Sequence, residues 1–218
     1  MSLFASLLRD FRRTASDLPG LFSGHFCIMF LPLAPLLGDE ATLPGYYSDQ
    51  TYFCRLLETY TDPLAPYRCK KHLKNSRCVI LELDDLGSFV FTGHRHSALF
   101  QNLQRKFPGV TSYVFASDGP GGYFKILKDG RIQRKVASYM YFEGIGSYAE
   151  TRGAPCAYEL ETGHIFKVDP KARHLQEMMP DFTKREVLNL FDYYVGLDHF
   201  KSEALRRTLV YDLESPNT

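Results

Sequence analysis

The sequence predicts an α+β fold: one domain over residues 1–218, a mostly antiparallel sheet with helices packed at its side and end. Three observations predict it. The stretch from Thr111 to Glu159 alternates short β-prone runs with tight turns, which predicts a β-meander over about 111–159. Segments with helical spacing flank such runs. No internal repeat, low-complexity tract or interdomain linker divides the chain.

The meander is the best organised part. Thr111 to Ala116 (TSYVFA) is rich in β-branched and aromatic residues and predicts a strand. Gly119-Pro120-Gly121-Gly122 forms a loose turn after it. Tyr123, Lys125 and Leu127 then share one face, and Phe124 and Ile126 the other. Asp129-Gly130 predicts a hairpin, because both residues tolerate positive φ. Beyond it Ile132, Lys135 and Tyr139 mix with Val136 and Met140, and Gly153-Ala154-Pro155 turns the chain toward Tyr158-Glu159.

The remaining elements follow from periodicity and punctuation. Residues 2–13 predict an amphipathic helix, with Leu3, Leu7 and Phe11 one turn apart, docked on the domain. Residues 25–31 predict a buried strand ended by Leu31-Pro32, with loop to Gly45. Ser48 suits an N-cap, and Asp49 to Tyr60 predicts a helix with Phe53, Leu56, Leu57 and Tyr60 on one stripe. Cys78–Leu83 and Ser88–Thr92 predict two strands joined by Asp84-Asp85-Leu86-Gly87. Ser97 opens a helix from Ala98 to Phe107, which Pro108-Gly109 stops. His164 to Val168 predicts an edge strand. Thr183 and Glu186 form a capping box for a C-terminal helix over about 184–195, which Gly196 closes.

Composition bounds the function. With 218 residues the chain can bury a sizeable core, and 44% hydrophobic and 23% charged residues are ordinary globular values. Aromatics reach 14%, with 14 Tyr, 17 Phe and no Trp, and Tyr-rich surfaces favour protein contacts. A net charge of +1 gives no global electrostatic case for nucleic acid. The five cysteines are an odd, irregularly spaced set, and the first residues lack the pattern of a signal peptide, so reduced thiols and a cytoplasmic location are expected. The apolar run Phe26 to Leu37 is interrupted by two prolines and falls short of a membrane span, so no membrane partner is expected.

Asp129-Gly130-Arg131 and Gly153-Ala154-Pro155-Cys156-Ala157-Tyr158-Glu159 carry a resemblance. A "DG" hairpin with an arginine after it, then a G-x-P-x-x-(aromatic)-E element, resembles immunity proteins of bacterial polymorphic toxin systems. It covers about a quarter of the chain. The resemblance implies a non-catalytic protein that occludes the active site of a cognate antibacterial toxin domain, without metal or cofactor. The near-neutral charge argues against a strongly basic nuclease as that toxin, because such an inhibitor would be acidic. The expected contact residues are Tyr123, Lys125, Arg131, Arg134, Tyr139, Tyr141, Tyr148 and Glu150, on the meander and its turns.

Other constellations compete with that expectation. His94-Arg95-His96, between a strand and a helix, or Cys156 with His164 eight residues on, could serve an enzyme of unknown class. A polar loop before Ser97 is the ordinary explanation of the first group, and nothing in the sequence brings Cys156 and His164 together. Cys69-x-x-His72 with Cys78 and Cys54 offers zinc-type ligands but lacks paired CxxC and HxxxH spacing, so no metal site is expected. Arg68 to Arg77 is a basic patch beside Tyr67, which would suit a nucleic-acid or adaptor module, although a solvated face is its ordinary meaning. No G-x-S-x-G, H-E-x-x-H or Walker sequence is present.

Overall fold

The computed structural model describes residues 26–32, 40–44, 51–61, 77–83, 87–93, 97–118, 121–142, 146–172, 178–179, 184–196 and 205–214. In chain order they form β1 (Phe26–Leu31), β2 (Glu40–Pro44), β3 (Thr51–Tyr60), β4 (Arg77–Leu83), β5 (Gly87–Gly93), α1 (Ser97–Arg105), β6 (Thr111–Asp118), β7 (Gly121–Lys128), β8 (Arg131–Phe142), β9 (Gly146–Arg152), α2 (Ala157–Thr162), α3 (Lys184–Val195) and β10 (Leu205–Glu214). All ten strands join one mostly antiparallel sheet, ordered β2-β3-β10-β4-β5-β1-β6-β7-β8-β9.

Both faces of this sheet are covered, which is why its central strands read as unbroken apolar runs. In β1, Ile28 and Phe30 enter one core, and Cys27, Met29 and Leu31 enter the other. β4 divides likewise, with Val79, Leu81 and Leu83 opposite Cys78 and Ile80. Val187, Leu190, Phe191 and Val195 of α3 close the first core, and Leu99, Phe100 and Leu103 of α1 close the second. α1 touches β1 and β7 and also β2 at the far edge, so the sheet curls around it.

The predicted hairpin forms as its turn chemistry requires. Asp129 has φ 52° and Gly130 φ 68°, the positive pair of a two-residue connection. The turn docks on the end of α1. The buried Gln104 amide donates to the Val110 carbonyl at 2.5 Å, and its oxygen accepts the Gly130 N–H. Asp129 Oδ1 accepts the Gly109 N–H at 2.7 Å.

Several expectations are corrected. Asp49 to Tyr60, expected as a helix, contains β3. The cause is a β-bulge: Glu58 pairs with Val210 and Leu56 with Tyr211, so Leu57 is the extra residue. The bulge resets the alternation, and Leu57 and Tyr60 pack against the first core although three residues apart, while Leu56 packs against the second. The resulting spacing imitates a helical stripe. His164–Val168 is no strand, because it crosses the first core as irregular chain with Phe166 held by side chains. The meander ends at Arg152, and Tyr158-Glu159 lie in α2. β10, between β3 and β4, was not expected. The C-terminal helix is α3, and Gly196 follows it at φ 66°. The expected helix over 2–13, Thr183, His94, His96 and residues 68–76 of the basic patch lie outside the described residues.

Gln104→Leu is expected to strand the Gly130 N–H and the Val110 carbonyl, costing about 2–4 kcal/mol. A lowered midpoint in urea unfolding at unchanged m-value checks this.

Candidate binding surface

The site begins with a second bulge, in β8. Next to the turn, Lys128 pairs with Arg131 and Leu127 with Ile132. A regular ladder would then pair Ile126 with Gln133. Instead Ile126 pairs with Arg134 and Lys125 with Lys135. Gln133 is the extra residue, and every side chain beyond it changes face. Gly153 makes room: its φ is 83°, and a Cβ there would lie 1.9 Å from the Gln133 carbonyl oxygen. No side chain fits.

The bulge sends Arg134 inward. Its Nε donates to Glu159 Oε2 at 2.8 Å and its Nη2 to Glu159 Oε1 at 2.5 Å. Its Nη1 donates to the Gly153 carbonyl at 2.9 Å. Glu159 also accepts the backbone N–H of Cys156 at 2.9 Å and of Phe166 at 3.1 Å. Burial alone would raise the Glu159 carboxyl, but the donors from Arg134 and Cys156 outweigh it and hold it below the ordinary range. The Gly-x-Pro-x-x-aromatic-Glu element thus has a structural job: it staples the chain after β9 to β8.

On the opposite face the same bulge sets Lys135 against Lys125. Lys135 pairs with Glu150 of β9. The Lys125 ammonium lies 4.1 Å from the centre of the Tyr123 ring, and the Tyr123 hydroxyl is 3.2 Å from Cys27 Sγ. Burial first, and then the charge of Lys135, lower the Lys125 amine to about 8, although Cys27 and Glu150 oppose the shift. Burial would raise Glu150, but Lys135 and the Tyr148 hydroxyl hold it below the ordinary range. Tyr148, on the edge strand β9, is 46% exposed.

Four of the expected contact residues therefore meet in one cluster: Tyr123, Lys125, Tyr148 and Glu150. Two are corrected by burial. Tyr123 is 1% exposed and serves as the floor under Lys125, and Arg134 is 4% exposed on the other face. Arg131 is exposed at the hairpin turn. Tyr139 and Tyr141 lie in β8, and their side chains fall outside the described residues. Lys135 was missed, because a regular two-residue hairpin places Arg134 opposite Lys125.

A second exposed patch lies on α2 and α3. Leu160 is 66% and Tyr193 42% exposed, and the Tyr193 ring meets Tyr158 edge-on at 5.5 Å. Tyr158 donates to Glu186 at 3.0 Å. Cys156, weighed as a nucleophile, sits beneath this patch in the first core; burial pushes its thiol up, against the lowering effect of the Tyr194 hydroxyl. His164 packs its ring on Phe166 at 4.9 Å. Among the described residues no group of His, Cys, Asp and Glu is arranged to hold a metal ion. No described helix is long and apolar enough to cross a membrane.

Comparison with protein-family models, curated proteins and solved structures returns no match to the chain.

Glu159→Gln is expected to destabilise the fold by about 3–5 kcal/mol, because it leaves Arg134 buried with half a partner. The depressed carboxyl fixes the sign with pH. Its contribution is present above the unfolded carboxylate pKa of about 4.3 and is lost as pH falls through the lower folded value. Urea midpoints of wild type and variant should therefore converge in acid, measured from pH 7 down to pH 3.

Proposed function

We propose that this chain is a cytoplasmic α+β immunity protein that binds a cognate antibacterial toxin domain and covers its active site. The observation that carries the proposal is the surface over β7–β9. There an exposed tyrosine, Tyr148, bonds Glu150, which pairs with Lys135 opposite Lys125, on a sheet rather than on loops. Interface anchors are commonly Tyr and charged residues with a packed floor, and Tyr123 supplies that floor. The turn elements that resemble immunity proteins, Asp129-Gly130-Arg131 and the Gly153–Glu159 element, support the same role by holding this surface in place. Affinity would come from a few such anchors, with the partner positioned by shape and charge and no bond made or broken.

The test is co-expression with the C-terminal domain of a secreted toxin encoded beside this gene. Rescue of growth and a purified complex are expected. A harmless neighbour, or a toxin that this chain neither binds nor neutralises, overturns the proposal. Tyr148→Ala should weaken the complex at least about tenfold while leaving Tm within about 2 °C, because the ring is half exposed in the free protein. Titration calorimetry and thermal unfolding measure the two effects.

A further inference from the structure

Lys125 is placed in a way that free stability does not explain. Its stem descends toward the buried Tyr123, and its side chain is only partly exposed. Among the described residues no carboxylate forms an ion pair with it: the nearby Glu150 pairs with Lys135, holds the Tyr148 hydroxyl and attracts Lys125 only at longer range. Lys135 stands directly opposite it in the ladder, and like charges opposite each other repel. Arg152, opposite Lys135 on β9, adds a third cation at the exposed rim. An ammonium half out of water, facing a second ammonium, is an unfavourable arrangement for the protein alone.

We propose that Lys125 is the receptor for a carboxylate that the bound partner supplies, with Lys135 at its side and Tyr148 reaching the site through Glu150. This depends on the binding role proposed above and names its central contact. Charge favours a single carboxylate. In the half-buried part of the cluster Lys125 and Lys135 against Glu150 leave one uncompensated positive unit, which one acidic side chain neutralises, while Arg152 stands in water at the rim. A phosphate dianion would bring a second negative charge to close range of Glu150. The lowered amine agrees with an unfilled receptor.

Proton linkage follows. The groups facing Lys125 are Tyr123 on its own strand, Lys135 on β8, Glu150 on β9, which also holds the Tyr148 hydroxyl, and Cys27 on β1. A carboxylate stabilises the charged amine and raises its pKa. Binding above the free value of about 8 therefore takes up a proton, and affinity falls about tenfold per pH unit until the bound amine also titrates.

The probe is acetate, followed by NMR of the Lys125 side-chain nitrogen in the full chain, with assignment by Lys125→Arg. Saturable shifts with acetate, absent with chloride at equal ionic strength and weakened about tenfold from pH 8.5 to 9.5, are expected. An amine titrating near 10.4, or one without a saturable acetate response, overturns the proposal. Lys125→Met supplies the second arm. It should unfold at no lower temperature than wild type, since it removes an unpaired charge, yet lose at least tenfold in affinity for the toxin domain. If Lys125→Met binds and rescues as well as wild type, the carboxylate contact fails while the immunity role stands. If acetate saturates Lys125 but the wild type binds no toxin domain, the carboxylate site stands and the immunity role falls.

Discussion

The buried Arg134–Glu159 pair is the constraint on which the rest of this end of the molecule depends. A guanidinium and a carboxylate are both costly to bury, and they are tolerated because their hydrogen-bonding groups are occupied. The pair forms only because Gln133 bulges and turns Arg134 to the first core, and the bulge is accommodated only because residue 153 lacks a side chain. Sheet register, the path after β9 and the position of α2 are therefore one decision. Without the bulge, Arg134 would face Lys125 and the chain from 153 to 166 would lose its anchor.

The layering then decides which surface is left for contact. A sheet covered on both faces spends its central strands on two cores, so β1, β4 and β5 have little to offer a partner. α1 lies against β1, β2 and β7, and α3 against β6 and β7. β8 and β9 extend past those helices toward the sheet edge. Polar and aromatic side chains there remain partly in water while held by a continuous ladder. That combination of exposure and rigidity is what a contact surface needs to lose little entropy on binding.

The parts of the fold that local chemistry dictates were legible in the sequence. Asp129-Gly130 announced its own backbone conformation, the FCIMFL run announced a buried strand, and Gly196 marked the end of α3. What local chemistry does not dictate was not legible. β10 inserts between β3 and β4, which precede it by more than a hundred residues, and nothing near Leu205 records that pairing. Both bulges were invisible for the same reason, since each is fixed by a partner element. The Leu57 bulge gave β3 a false helical stripe, and the Gln133 bulge moved Arg134 away from the surface and brought Lys135 onto it. The cluster's residue types could be read from alternation, but its pairings could not.

Lys125 and Arg134 make an instructive contrast, for they sit on adjacent strands of one hairpin and both lose water on folding. Arg134 finds a carboxylate inside the protein, and the result is a staple. Lys125 finds an aromatic ring below it and another lysine opposite, with the neighbouring carboxylate already engaged. A sequence under pressure for stability alone would place an apolar residue there, as alternation with Tyr123 and Leu127 invites. An amine kept at such a position costs the free protein stability that an arriving carboxylate returns. The difference between the two cations is thus the counter-charge: Arg134 has a carboxylate of its own within the fold, whereas Lys125 has only the distant share of one that Lys135 already pairs, and an arriving carboxylate completes it.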